Sequence, residues 1–140
     1  MVIGCFTYFV TAGQLLLSTR TLFDQPSTQF QAAACLRSHL LSPGLIVASG
    51  GICQDSSGHR LANDAPYMFY WLDRKGFTTC EGHQSISELV SYRKRGARYF
   101  VAEQAALSEQ PGFRSELMAA FPLLADCKSA LLFSLEANPK

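Results

Sequence analysis

Residues 64–77 read DAPYMFYWLDRKGF, and this stretch decides which fold the sequence predicts. Asp64 is a residue type that caps helices, and Pro66 is tolerated in a first helical turn. The aromatic side chains that follow Pro66 and precede the Asp-Arg-Lys sequence recur at helical spacing. Gly76 can adopt the left-handed conformation that ends a helix. The segment therefore predicts a capped aromatic helix that ends at a glycine.

Helical and extended patterns alternate on both sides of this helix. The apolar run LIVA at 45–48, bounded by turn residues, is typical of a strand covered on both faces. Helices are also predicted over 29–41, 86–95 and 111–121, and strands over 77–80, 97–102 and 129–135. Regular alternation with short connections favours an α/β fold. We expect a small three-layer Rossmann-like domain with a mostly parallel sheet of about four strands.

The size and charge of the chain limit its function. Its 140 residues, 48% of them hydrophobic, suit one domain with a buried core. The formal net charge is +1, so the composition predicts no long-range field for nucleic acid or an anionic membrane. The basic cluster at 93–98 is interpreted as a solvated helix end, with phosphate binding as the alternative.

The N-terminal segment differs from the rest of the chain. Residues 1–19 carry no charged side chain, and Arg20 is the first. The segment is marginal in length for a membrane span and lacks the basic start of a signal peptide. A truncated transmembrane helix, a buried helix and a pair of apolar strands all remain open. We divide the chain into an apolar segment at 1–17, a linker at 18–28 and an α/β domain at 29–140.

Five cysteines are present, and no two form a C-x-x-C pair. The spacing favours free buried thiols, with one disulfide left open for an oxidising compartment. Cys80 and His83 have the types and spacing of a zinc ligand pair, but no second tight pair accompanies them. The sequence therefore predicts neither a metal site nor a cofactor.

Polar residues before and within the aromatic helix are the candidate ligand site. Ser49-Gly50-Gly51 follows a strand, but it lacks the glycine spacing of a nucleotide-binding loop. A histidine beside carboxylates can perform acid–base chemistry, but no nucleophile motif accompanies the loop. No catalytic residue is assigned, and enzyme activity stays open. The predicted ligand-binding residues are Asp55, His59, Asp64, Tyr67, Tyr70 and Arg74.

Two interpretations of the aromatic helix compete. Tyrosine and tryptophan combine apolar area with a polar tip, as binding surfaces require. An aromatic stripe at helical period is more often the side of a helix that packs on a core. The sequence favours packing and leaves the first turn as the part open to ligand.

The motifs at 70–77 (YWLDRKGF) and 96–101 (GARYFV) carry a family resemblance. In this order, after the strand and small-residue loop at 45–51, they resemble the C-terminal soluble region of membrane glycosyltransferases of the dolichyl-phosphate-mannose protein mannosyltransferase type. Such enzymes use polyprenyl-phosphate sugars. The resemblance covers about residues 40–136, and the acidic catalytic motif of those enzymes has no counterpart here.

The resemblance implies a non-catalytic accessory domain on the extracytoplasmic side of a membrane. Its partners would be the membrane-embedded part of the same enzyme and a lipid-linked sugar or acceptor, with no nucleic acid. The alternative is a free-standing Rossmann-like module that binds a small ligand or a protein.

Overall fold

The computed structural model describes residues 28–51, 53–59 and 66–136, and these form an α/β domain as predicted. The described helices are α1 (Thr28–Arg37), α2 (Pro66–Leu72), α3 (Ile86–Lys94), α4 (Gln104–Glu109) and α5 (Pro111–Ala120). The described strands are β1 (Leu45–Gly50), β2 (Gly76–Cys80), β3 (Ala97–Glu103), β4 (Leu123–Asp126) and β5 (Ala130–Ser134).

The sheet corrects the expected architecture. Five strands lie in the order β2-β1-β3-β5-β4, in which β1 is parallel to β2 and β3. Strand β5 is antiparallel to both β3 and β4. The expectation of a mostly parallel, four-stranded Rossmann-like sheet is therefore wrong, and the sheet is mixed.

A tight connection between β4 and β5 explains the antiparallel half. The amide of Cys127 donates to the carbonyl of Ala130 across 2.9 Å, and Lys128 has a φ of 61°. Such a short connection can join only antiparallel neighbours, whereas parallel strands need a long crossover. The sequence analysis missed β4 because Leu123–Asp126 is a four-residue edge strand without a glycine turn after it.

Apolar side chains form a core on each face of the sheet. Along β3, Tyr99 and Val101 belong to the core that contains α1 and α2. Phe100 and Ala102 belong to the other core, which α3 and α5 cover. This alternation follows from the two-residue period of a strand. Because both faces are covered, the polar groups that could bind a ligand lie at the two ends of the strands.

Local signals in the sequence account for several helix boundaries. Ser85 Oγ accepts a hydrogen bond from the amide of Glu88 across 3.2 Å and caps α3, which begins at Ile86 as predicted. Gly96 follows α3 with a φ of 97°. The prediction for Gly76 is wrong, because this residue begins β2 and the left-handed residue after α2 is Asp73, with a φ of 51°. Helix α1 ends at Arg37 rather than near residue 41.

The apolar segment at 1–17 and nearly all of the 18–28 linker lie outside the described residues. Among the described helices, none has the length and apolar character that crossing a membrane requires. We call the side of the sheet where β1, β2 and β3 end the carboxyl edge, and the side where they begin the amino edge.

Candidate functional site

The carboxyl edge contains the point at which the chain leaves the sheet in two directions. From β1 the chain crosses to β2 through α2, and from β2 it returns to β3 through α3. Helix α2, after β1, and helix α4, after β3, contribute to opposite cores, so the connections that follow these neighbouring strands leave the sheet on opposite faces. We call the space outside the ends of these two strands the crevice. Open α/β sheets bind ligands at such a position.

A chain of hydrogen bonds joins three elements at this crevice. The Tyr67 hydroxyl, in the first turn of α2, donates to Oε1 of Glu103 across 2.8 Å. Gln29 Nε2, in the first turn of α1, donates to the same hydroxyl across 3.0 Å. Glu103 is the last residue of β3. The bonds fix the orientation of a carboxylate at the end of the central strand.

A pocket of about 500 Å³ opens beside these bonds. Its floor includes the buried side chains of Ala32 and Met68. Its polar lining comes from Gln29, Glu103, Gln104, Ser108, Lys128 and Ser129. An apolar floor with a few converging polar groups is the usual composition of a small-ligand site.

The carboxyl edge carries mainly negative charge. Burial raises the pKa of the Glu81 carboxyl, and the charges of Glu103 and Glu109 raise it further. Glu81 follows β2 directly, so these carboxylates come from neighbouring parts of the same edge. Lys128 is the basic side chain in the pocket lining. Repulsion between like charges disfavours a phosphate here.

The sequence Ser49-Gly50-Gly51 at the end of β1 does not form a phosphate-binding loop. Ser49 Oγ accepts a hydrogen bond from Gln84 Nε2 across 2.8 Å, and both side chains are buried. The carbonyl of Gly51 accepts from the amide of Glu81 across 3.4 Å. These contacts tie the end of β1 to the segment after β2, and the next described residues form a turn instead of a helix.

Two of the predicted site residues, Asp55 and His59, lie together in that turn. Asp55 Oδ1 accepts hydrogen bonds from the amides of Ser57 and His59 across 2.8 and 2.9 Å. Oδ2 lies 3.2 Å from Nδ1 of His59, whose side chain is 80% exposed. The backbone hydrogen bond from His59 is the main cause that lowers the pKa of the Asp55 carboxyl. The pair therefore holds the turn closed.

The other predicted residues are dispersed. Tyr67 lies at the crevice, whereas Tyr70 points to solvent with 81% exposure. Arg74 lies after α2 at the amino edge, where its Nη2 donates to the carbonyl of Leu40 across 3.3 Å. Asp64 lies outside the described residues. Of the five predicted residues that the structure describes, only Tyr67 belongs to the hydrogen-bond network beside the pocket.

Sequence reasoning missed Gln29, which begins a predicted helix, and Glu103, which directly follows a predicted strand. The predicted strand at 97–102 stops one residue before Glu103, and a carboxylate at a strand end is a usable signal. Nothing in the sequence pattern connects it with Gln29, which lies 38 residues from the shared tyrosine.

Two disulfides brace the site, which corrects the expectation of free thiols. Cys35 of α1 is bonded to Cys127 after β4, with Cα atoms 5.9 Å apart. Cys53 of the turn is bonded to Cys80 at the end of β2, with Cα atoms 5.5 Å apart. The second bond also removes the two thiolates that a zinc site would need. Cys5 lies outside the described residues.

Comparison with protein-family models, with curated proteins and with solved structures finds no match to this chain.

Proposed function

We propose that this chain is a non-catalytic accessory domain of a membrane glycosyltransferase, which holds a saccharide in the pocket beside Glu103. The fixed carboxylate of Glu103 carries the proposal. It lines the pocket, and the hydrogen bond from Tyr67 leaves its second oxygen, Oε2, as an acceptor for a ligand hydroxyl.

The remaining lining suits the same class of ligand. Gln29 and Gln104 each have an amide that both donates and accepts, and Ser129 adds a hydroxyl. Ala32 and Met68 offer an apolar surface to the carbon–hydrogen face of a sugar ring. The nearby carboxylates disfavour a phosphate group in the pocket. The pocket would therefore hold the acceptor saccharide, or the sugar moiety of the lipid-linked donor, rather than its phosphate.

The disulfides support the expected compartment. Disulfides persist in oxidising compartments and are rare in the cytosol. Two bonds within this small domain favour the extracytoplasmic side. The glycosyltransferase context rests on the resemblance of residues 70–77 and 96–101. The membrane-embedded part of the enzyme would supply the catalytic acids and lie next to this domain.

Saccharide binding to the full chain tests the pocket. Isothermal calorimetry with mannose- and glucose-containing oligosaccharides should detect binding, and Glu103→Gln should weaken it about tenfold or more, since hydrogen bonds to charged groups are worth about 1.5–3 kcal/mol. Glu116→Gln is the matched control, because Glu116 is exposed on α5. No binding by the wild-type chain, or equal affinities for all three proteins, would refute the pocket assignment.

The genomic sequence upstream of Met1 tests the context separately. A continuous reading frame that encodes several membrane helices is expected. A stop codon directly upstream, without such helices, would contradict the glycosyltransferase context and leave the saccharide prediction standing.

A further inference from the structure

The near-neutral net charge conceals a separation of charge between the two edges of the sheet. The described residues include nine arginines and lysines, and seven of them lie at the amino edge. The seven are Arg37, Arg74, Lys75, Arg93, Lys94, Arg95 and Arg98.

Chain topology brings these seven cations together. Arg37 ends α1, and Arg93 and Lys94 lie in the last turn of α3. Lys75 directly precedes β2, and its carbonyl accepts a hydrogen bond from the amide of Ile46 at the start of β1. Arg98 is the second residue of β3. Three helix ends and the beginnings of parallel strands thus meet at one edge.

The opposite edge is acidic. Glu103 ends β3, Asp126 ends β4 and Glu109 ends α4. Glu81 follows β2, and Asp55 lies in the turn after β1. Asp73 and Glu136 also lie at the amino edge, so seven cations face two carboxylates there, and a protein with a net charge of +1 has one positive and one negative end. Clustered charges of one sign create a local field that the net charge does not report.

The amino-edge cations differ in their availability to an external anion, because Arg37 and Arg74 already donate to the carbonyls of Trp71 and Leu40. Within the described residues, Arg98 is the one member of the seven in an ion pair, 3.3 Å from Glu136. Arg95 stacks over the ring of Phe77 at 4.2 Å and is exposed. Lys75 and Lys94 are exposed as well. Helix C-termini attract cations, which explains Lys94, but Lys75 precedes a strand and Arg98 lies within one.

An exposed apolar group accompanies the cations. Leu41 lies between α1 and β1 with 89% of its surface exposed, although the sequence predicted it as the last residue of a helix over 29–41. A shallow surface depression is lined by Leu41 and by Leu124, which is 40% exposed. Cations and exposed apolar side chains on one face are features of a surface that lies on a bilayer.

We propose that the amino edge is a contact surface for an anionic lipid bilayer, with the cations at the headgroups and Leu41 inserted beneath them. Nucleic acid is disfavoured because the two disulfides belong to an oxidising compartment. An acidic protein surface would not require the exposed leucine. The uncharged residues 1–19 of the same chain agree with a location near a membrane. In this orientation the pocket at the carboxyl edge faces away from the bilayer.

Vesicle binding by the full chain tests the proposal. Affinity is measured for phosphatidylcholine vesicles with and without about 30% phosphatidylglycerol, by flotation at low and high salt. The anionic vesicles should be preferred, and the preference should disappear at about 1 M salt, where the Debye length is about 3 Å. Any anchoring by residues 1–19 contributes equally to both vesicles.

A matched pair of double variants locates the surface. Lys75→Gln with Lys94→Gln should weaken binding to the anionic vesicles about thirtyfold, because each cation near a charged bilayer contributes about fivefold to the affinity. Arg114→Gln with Lys128→Gln removes the same charge from the remaining described cations and should change the affinity about twofold at most. Leu41→Ser should weaken binding without a change in charge. Near-ultraviolet circular dichroism verifies that each variant is folded.

Two outcomes would overturn the proposal. The first is equal affinity for neutral and anionic vesicles; binding to polyglutamate in that case would assign the amino edge to an acidic protein. The second is an equal loss in both double variants.

Discussion

The Tyr67 hydroxyl lies 2.8 Å from Oε1 of Glu103, and this hydrogen bond joins the start of α2 to the end of the central strand β3. Both residues are partly buried. The same hydroxyl accepts from Gln29 of α1, so one oxygen atom links two helices to the sheet. The bond therefore serves both the stability of the carboxyl edge and the shape of the pocket.

Removal of this hydroxyl should destabilise the domain modestly. Tyr67→Phe keeps the ring that packs on Trp71 at a centroid distance of 5.3 Å but removes both hydrogen bonds. We expect a loss of about 1–2 kcal/mol in the free energy of unfolding, because a bond to a charged group contributes more than a neutral one. Urea denaturation measures the change. Tyr70→Phe, at an 81% exposed position, is the control and should be neutral. Equal stability of both variants would show that the Tyr67–Glu103 bond adds nothing to folding.

The two disulfides should contribute unequally to stability. Cys35 and Cys127 are 92 residues apart, whereas Cys53 and Cys80 are 27 residues apart. Loop-closure entropy predicts losses of about 4–5 and about 3–4 kcal/mol when each pair is changed to alanine. Chemical denaturation of the two double variants gives the order.

Thiol titration checks the same pairing without mutation. Five cysteines and two bonds leave at most one free thiol in the denatured, unreduced chain, and reduction should expose all five. Three or more free thiols in chain prepared under oxidising conditions would contradict the pairing.

The fold class could be predicted from sequence because it depends on local patterns. The strand that contains LIVA is recognisable from its continuous apolar run, and the helix after Ser85 is recognisable from its cap residue. The direction of β5 could not be predicted, because it depends on the short turn that includes Lys128, and that turn has no glycine signal. The order of the strands depends on tertiary packing, and the hydrophobic periodicity of single segments does not determine it.

The candidate site was less predictable than the fold for the same reason. Tyr67 and Glu103 are 36 residues apart, and the placement of β3 beside β1 brings them together. Cysteine pairing likewise cannot be read from spacing. The separation of charge between the edges was hidden because acids and bases balance along the chain and separate only in the fold.

Gly76 should tolerate substitution poorly. A Cβ atom at this position would lie 1.7 Å from the carbonyl oxygen of Ile46, a backbone atom of the neighbouring strand. Gly76→Ala would have to separate β1 from β2, and we expect a loss of more than about 3 kcal/mol or failure to fold.

Gly112→Ala is the matched control for this substitution. Gly112 lies near the start of α5, and a Cβ there meets no atom within 4 Å. Alanine favours the helix, so the variant should be neutral or up to about 1 kcal/mol more stable. The melting temperatures of the two variants test the contrast, and a well-folded Gly76→Ala would show that β1 and β2 do not approach so closely.

The acidic carboxyl edge should make stability depend on pH through Glu81. Burial and the neighbouring charges of Glu103 and Glu109 raise its pKa, so the folded protein holds this proton more tightly than the unfolded chain. The resulting stabilisation is complete below the pKa of the unfolded chain, about 4.3, and is lost as the pH rises through the folded pKa. Glu81→Gln fixes the neutral form. It should match the wild type in acid and exceed its melting temperature at about pH 7.

The effect of Glu81 has to be separated from the general unfolding of the protein in acid. Asp55 contributes in the opposite sense, because its lowered pKa gives stability that is lost as the pH falls. The informative quantity is therefore the difference in melting temperature between Glu81→Gln and the wild type at each pH. Glu116→Gln removes the same charge from an exposed position on α5 and is the control. A difference for Glu81→Gln that does not grow with pH, or that Glu116→Gln reproduces, would mean that burial and the neighbouring carboxylates do not raise the pKa of Glu81.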